Sequence, residues 1–223
     1  MTSAEGNKHA NRSARTRERF IAAAQRLYAQ RSIDSVSLNE ITVAAGQKNR
    51  NALQYHFGNR DGLLQAIIDK HADRVFSLRR QYLATLEDPD SVSARAAARA
   101  LVMPLAAYIE ENPEGIHYIK ILSQLAALNS DIINPSGNSR LSFQNDEEFG
   151  ALVRRAVSHL RPPEAQRRMF LALSITFHGI ADVCRASETR AASRNLQNRS
   201  AMFAQVALAI ESLLGAPAVD SAP

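Results

Sequence analysis

The sequence predicts an all-α protein, with a small N-terminal three-helix domain followed by a larger helical domain. Three observations carry this. Apolar residues recur at three- and four-residue spacing along the chain, with no convincing alternating run. Eight prolines and nine glycines in 223 residues are too few for the many turns of an all-β fold. The breaks that do occur, such as Gly46, Phe57-Gly58, Asn112-Pro113 and Arg161-Pro162-Pro163, fall between periodic stretches.

Composition narrows the class. Apolar residues make up 45% and charged residues 22%, as in an ordinary globular protein. One cysteine, Cys184, excludes an internal disulfide framework and a multi-cysteine zinc site, and fits a reducing compartment. No stretch approaches the ~20 apolar residues of a membrane span, and the polar segment from Met1 to Thr16 has no apolar signal region. The expected setting is the cytoplasm, with no membrane partner. The charge is unevenly placed. Residues 1–80 hold 14 Lys and Arg against 7 Asp and Glu, whereas the remainder holds 13 against 15. Such asymmetry points to a polyanion met by the N-terminal third.

The elements follow in order. Residues 1–14 read as a disordered basic arm. Phe20, Ala24, Leu27 and Tyr28 give a first helix, about 15–31, its apolar face. Ser37-Leu38-Asn39-Glu40 is a capping box, in which the Ser37 hydroxyl takes a free backbone N–H and Glu40 reaches back. A short helix with Leu38, Ile41 and Ala45 inward stops at Gly46, which tolerates a left-handed turn. A third helix covers about 49–56, and Asn59 caps a long one from Arg60 to about Leu86, with Leu64, Ile68, Val75 and Tyr82 as its stripe. After the break at 87–90, helices are expected at about 91–112, 114–129, 146–160, 163–188 and 195–214, with a loop at 134–137 and a weaker break at 190–194. The tail from Gly215 to Pro223 reads as disordered.

Two short helices around Gly46, supported by a third, make a helix-turn-helix pattern. A helix fits the DNA major groove, where its exposed side chains meet base edges. The helix at 49–56 offers Asn49, Arg50, Asn51 and Gln54. Arg bonds guanine bidentately, and Asn or Gln does so with adenine. Leu53 and Phe57 would anchor its other face. Ser37, at a helix N-terminus, suits a phosphate. Lys48, Tyr55, His56 and Arg60 can reach neighbouring phosphates and fix register without reading sequence. In the arm, Arg12, Arg15 and Arg17 are candidates for an adjacent minor groove.

Phe20 to Leu64 resembles the DNA-binding domain of the TetR family of transcriptional regulators. The matching residues are Phe20-Ile21-Ala22-Ala23-Ala24, Leu27-Tyr28, Ile41 with Ala44-Ala45-Gly46, and above all Tyr55-His56-Phe57-Gly58-Asn59-Arg60-Asp61-Gly62-Leu63-Leu64. Between Gly46 and Phe57 the sequence is one residue longer than the commonest family spacing. Gln54 stands where many relatives carry a phosphate-contacting tyrosine, and Arg60 replaces the usual lysine.

The resemblance implies domains at 15–62, for DNA, and 63–214, for a small-molecule effector and dimerisation. It implies no cofactor and no metal. Phe170 and Phe177 on one helix, with Met202, Val206, Ile210 and Leu213 on the last, are the expected homodimer surface, pairing with their mates in a four-helix bundle. Small residues Ala172, Ser174, Gly179 and Ala181 permit close helix approach. Met103, Tyr108, His117, Tyr118, Gln124, Phe143, Phe149 and His178 are the expected pocket candidates. No phosphate-binding glycine loop, nucleophile elbow or metal-spaced cluster is present, so catalysis is not expected. The expected function is a sequence-specific regulator of a near-palindromic operator, most simply a repressor released by its effector, with the helix at 60–86 as the lever. The alternative is a non-specific architectural DNA-binding protein.

Overall fold

The structure is a computed structural model that describes residues 2–49, 51–86, 94–128, 141–142, 146–189 and 193–219. Arg50, Phe143, the 87–90 break, the 134–137 loop, Arg190 and residues 220–223 lie outside the described residues. The described residues form α-helices and one 3₁₀ turn, Ile33–Ser35, with no strand among them. The helices are α1 (Thr2–Gln30), α2 (Leu38–Ala44), α3 (Asn51–Phe57), α4 (Arg60–Leu83), α5 (Ala94–Glu111), α6 (Gly115–Leu128), α7 (Glu147–Ala156), α8 (Pro162–Glu188), α9 (Arg194–Gln197) and α10 (Arg199–Gly215). The chain divides into two compact units, Met1–Lys70 with Arg140–Ser142, and His71–Ser139 with Phe143–Pro223. The division falls inside α4, later than the 62/63 boundary expected.

In the second unit, α5 is central and packs against α6, α7, α8 and α10. It is buried at Ala97, Ala98, Leu101, Val102, Leu105 and Ile109, the all-round apolar pattern of an enclosed helix. α8, 27 residues long with an 18-residue stretch of mean hydropathy 1.3, is long and apolar enough to cross a membrane. Its apolarity has a use inside the unit, because α8 packs against α5, α6 and α10 and buries Ala172, Thr176, Ile180, Val183 and Cys184. On α10, Phe203, Ala207, Ile210 and Leu214 are buried. Ile210 therefore belongs to the interior of its own chain, which corrects its place in the expected dimer stripe. Val206 lies over Gly179 of α8, so it too has an intramolecular partner.

The end of the chain differs from expectation. Asn198 accepts from the Ala201 N–H at 3.1 Å and caps α10. The helix expected at 195–214 is thereby split into α9 and α10. The segment after Gly215 is held rather than free as far as Val219. Buried Arg168 donates to the carbonyls of Leu213 (3.0 Å), Ala216 and Pro217, and to Glu164 Oε1 at 2.7 Å. Glu164 Oε1 accepts from the Val219 N–H at 2.9 Å. The groups that meet at the chain end stand 45–55 positions apart in sequence, so composition carried no sign of them.

The first unit is built on α1, whose Phe20, Ala24 and Tyr28 are fully buried. Ile33, Ile41, Leu53, Leu63 and Ile67 complete its core. The Gln65 side chain of α4 joins Ser142 to this unit through a pair of bonds to its backbone, at 2.8 and 3.0 Å. α1 begins at Thr2, not near residue 15. The segment read as a disordered arm is helix because no proline interrupts it, and helix propagates readily from a packed nucleus.

Gly62 sits in the first turn of α4, directly beneath the end of α3. A Cβ there would lie 2.0 Å from the Phe57 carbonyl oxygen. Only glycine fits without moving backbone. Gly62→Ala should destabilise the protein by roughly 3 kcal/mol, as overpacking against a rigid neighbour does. Chemical denaturation followed by circular dichroism reads this out, and an unchanged midpoint would contradict it.

Candidate nucleic-acid interface

The first unit's two short helices are fixed at each end by local chemistry. The Ser37 hydroxyl accepts from the Glu40 N–H (3.2 Å), and Glu40 Oε2 accepts from the Ser37 N–H (2.8 Å) and hydroxyl (2.9 Å). Arg31 donates to Glu40 Oε1 at 2.7 Å. The Ser37 amide, then the Arg31 guanidinium and the Ser37 hydroxyl, hold the Glu40 carboxyl down at about 2. α2 therefore carries its own anion at its N-terminus. Ser37, expected to meet a phosphate, is spent on this cap.

α2 ends in a left-handed Gly46 with φ +68°. The Gly46 N–H bonds the Val43 carbonyl (2.9 Å) and the Gln47 N–H bonds that of Thr42 (3.0 Å), the Schellman arrangement. α3 then opens with Asn49 Oδ1 accepting from the Asn51 N–H at 2.9 Å. Asn49, proposed from sequence as a base contact, thus has a capping role. Asn59 Oδ1 accepts from the Gly62 N–H at 2.9 Å and opens α4 as expected.

α3 divides cleanly. Leu53 is buried, and Ala52, His56 and Phe57 are half-buried. Asn51, Gln54 and Tyr55 are exposed, Tyr55 at 81%. Spacings of three and four place these three on one outward face. Lys48 is exposed just before the helix. A shallow cleft of about 430 Å³, lined by Leu38, Asn39, Thr42, Leu53, Gln54, Gly58 and Asn59, runs beside Gln54. Arg50 cannot be placed on this face, lying outside the described residues.

Two expected phosphate contacts turn inward. Arg60 donates to the carbonyls of Ile33 (2.7 Å) and Val36 (3.0 Å), with Asp34 at 3.5 Å. Its planar fork spans two carbonyls as a lysine would not. His56 lies among Phe20, Tyr55 and Phe57, with ring centroids 5.2–6.1 Å away. Burial first, and then the Arg17 charge, lower its pKa, so it is neutral at pH 7. Arg17, expected in the arm, is part of α1. It sits on α1 with its guanidinium 5.3 Å from the Phe57 ring centre, exposed beside the end of α3. Its place one turn before Phe20, at the end of the apolar stripe, was the available signal.

In the second unit the structure brings Tyr108 and Tyr118 together around His71, which the sequence reading missed. The His71 ring stacks on Tyr118 (4.5 Å, 21°) and its Nδ1 bonds the Tyr108 hydroxyl. Asn112 donates to that hydroxyl at 2.8 Å. Arg79, also missed, lies 4.6 Å from the Phe149 ring and 4.0 Å from Asp146. Burial lowers its pKa, against the opposing charge of Asp146. Met103, His117, Gln124 and His178 are half-buried on α5, α6 and α8. Among the described residues no three His, Cys, Asp or Glu side chains could hold a metal ion. Burial pushes the Cys184 thiol up to about 11, so it is unreactive at neutral pH. On α8, Phe170 and Leu171 are 40% and 46% exposed, whereas Phe177 is half-buried. Met202 of α10 is half-buried, and so is Leu213.

The caps and the buried fork lead to measurable consequences. Glu40 has a depressed folded pKa, so its contribution is present above the unfolded value of 4.5 and is lost as pH falls from there toward about 2. Glu40→Gln should lower the thermal midpoint at pH 7 and flatten its fall across that acid window. A parallel curve would contradict the cap. Arg60→Ala should cost about 2 kcal/mol of stability through its carbonyl bonds. Urea titration measures this, and a stability equal to the parent would return Arg60 to the surface.

Residues 20–67 match the family described as bacterial regulatory proteins, tetR family. No curated protein matches the chain. Among solved structures, it is similar to a TetR-family regulator from Streptomyces coelicolor A3, at 14% identity and a TM-score of 0.44, over 91% of this chain and 96% of that one. It is also similar to RolR in complex with the ligand resorcinol, at 19% identity and a TM-score of 0.37, over 96% and 100%. The matched segment contains the Gly46 turn, the outward face of α3 and the Tyr55–Leu64 block. Over residues 20–67, which carry this helix-turn-helix, the chain is similar to bacterial regulatory proteins of the tetR family.

Proposed function

We propose that the protein is a homodimeric, sequence-specific repressor whose α3 enters the major groove of a near-palindromic operator in the cytoplasm. The observation that carries this is the outward face of α3. Asn51 and Gln54 are exposed on a helix whose core side is already filled by Leu53. Neither amide is needed to hold the unit together, and both suit adenine edges. Lys48 and Tyr55 flank them and serve phosphates. Arg50 belongs to the same reading from its sequence position.

The second unit supplies the partner and effector parts of the proposal. Exposed Phe170 and Leu171 on α8, with Leu208 on α10 at 51% exposure, are the apolar positions for a second copy. Buried His71, Tyr108 and Tyr118, with half-buried Asn112, are the polar and aromatic groups with which an effector would form directional bonds. His71 stands on α4, the helix that also carries Arg60 of the first unit. Effector binding releases DNA by favouring a dimer whose two α3 helices no longer match the operator. Its effect is bounded by the difference in effector affinity between the two states.

Genomic fragments selected by the purified protein would define the operator. Gln54→Ala should then weaken operator binding by about 1–3 kcal/mol and leave binding to scrambled duplex unchanged. Equal affinity of the parent protein for operator and scrambled DNA would overturn the reading and leave an architectural role.

A further inference from the structure

α1 extends well beyond the part that packs. Its inward face carries Phe20, Ala24 and Tyr28, all fully buried. On the opposite side Arg12, Arg15, Arg19 and Arg26 are all exposed. Their spacings of three, four and seven residues put them on one line down the helix. At 1.5 Å per residue the line is about 21 Å long.

These arginines differ from the surface arginines that are paired with acids. Arg31, Arg74, Arg185 and Arg199 pair with Glu40, Glu111, Asp182 and Glu110. None of the four on α1 has an acidic partner among the described residues. Between residues 10 and 30 the only acid is Glu18. Like charges at three- and four-residue spacing weaken a helix by a few tenths of a kcal/mol per pair. Glu18, three residues after Arg15, is the one acid on this stretch placed to offset part of that repulsion.

We infer that the Arg12–Arg15–Arg19–Arg26 face of α1 is a second, sequence-independent DNA surface that binds the phosphate backbone flanking the operator. The inference rests on the DNA-binding reading above. The chemistry selects duplex phosphate among polyanions. A lipid surface needs an apolar face next to the cations, but that of α1 is buried in the core. A protein partner needs aromatic or aliphatic anchors, and the stripe has none. A line of guanidinium groups without apolar anchors suits the row of phosphates along a duplex strand. The same unit carries α3, so both surfaces are attached to one DNA-reading body.

The test compares the parent with the R12Q/R15Q/R19Q/R26Q variant. The first duplex ends at the edges of the selected operator. The second is extended by about one helical turn, 10–10.5 base pairs, on each side. Binding is measured across a salt series. On the extended duplex the variant should lose affinity, and its log K against log salt slope should flatten by about 0.9 for each phosphate no longer neutralised. On the short duplex the two proteins should agree, and the ratio of operator to scrambled binding should not change. The four Arg→Lys replacements together should restore the slope. Circular dichroism should show the glutamine variant as helical as the parent, since the change removes repulsion.

Equal slopes for parent and variant on the extended duplex overturn the inference. So does a loss confined to anionic vesicles. If the parent prefers no sequence yet the variant still flattens the slope, the regulator reading fails and the stripe stands. If the parent discriminates and the variant binds as it does, the stripe fails alone.

Discussion

Gly62 lies beneath the Phe57 carbonyl, and this close approach fixes how α3 leaves its own last turn and how α4 begins. The surface proposed to meet DNA depends on it. A seven-residue helix is far too short to persist in water by itself, so α3 exists only as its neighbours hold it. Leu53 anchors it from within, the Gly46 turn sets its entry, and the Phe57 ring is flanked by Phe20 and by the Arg17 guanidinium. Arg60, two residues before Gly62, reaches back to the carbonyls of Ile33 and Val36 and closes the circle between the start of α4 and the approach to α2. Rigid support of this kind is what a reading surface needs, since an amide a fraction of an ångström out of place loses its bidentate geometry.

What could be read in the sequence was local. The Ser37–Glu40 box, the Gly46 turn and the Asn59 cap each involve residues no more than a few positions apart, and all three are present as expected. The succession of helices follows from periodicity, which is also short-range. What could not be read was the use to which a polar residue is put when its partner is distant. Arg60 bonds carbonyls 24 and 27 residues away, and His71 meets a tyrosine 37 residues away. A cation near a recognition helix reads as a phosphate ligand until the fold reveals a nearer acceptor. Ile210 was misread for a related reason: an apolar stripe looks the same whether it faces the same chain or a second copy.

Polar residues of this protein thus fall into two populations. One is consumed internally. Ser37, Glu40, Asn49, Asn59 and Arg60 satisfy backbone groups that would otherwise face loss of solvent without a partner. The other, comprising Asn51, Gln54, Tyr55 and Lys48 near α3, is left outward and exposed. The distinction carries more weight than composition does. Net charge alone would have counted Arg60 and Lys48 as equal contributors to a DNA surface, whereas the first is bound up in the fold.

Tyr55 sharpens the point, because its neighbour shows the alternative. Tyr55 and His56 are adjacent, and their rings stand 5.2 Å apart at 77°. His56 turns toward Phe20 and loses water, which keeps it uncharged. Tyr55 keeps 81% of its surface in solvent although a buried aromatic ring would contribute about 1.5–3 kcal/mol of hydrophobic stabilisation. A phenol held on edge against an imidazole, at the rim of a helix carrying two exposed amides, gives a rigid hydroxyl at little further entropic cost. Under the proposed function such a group would meet a fixed acceptor such as a phosphate oxygen, setting where the helix sits and leaving the amides to distinguish one base from another.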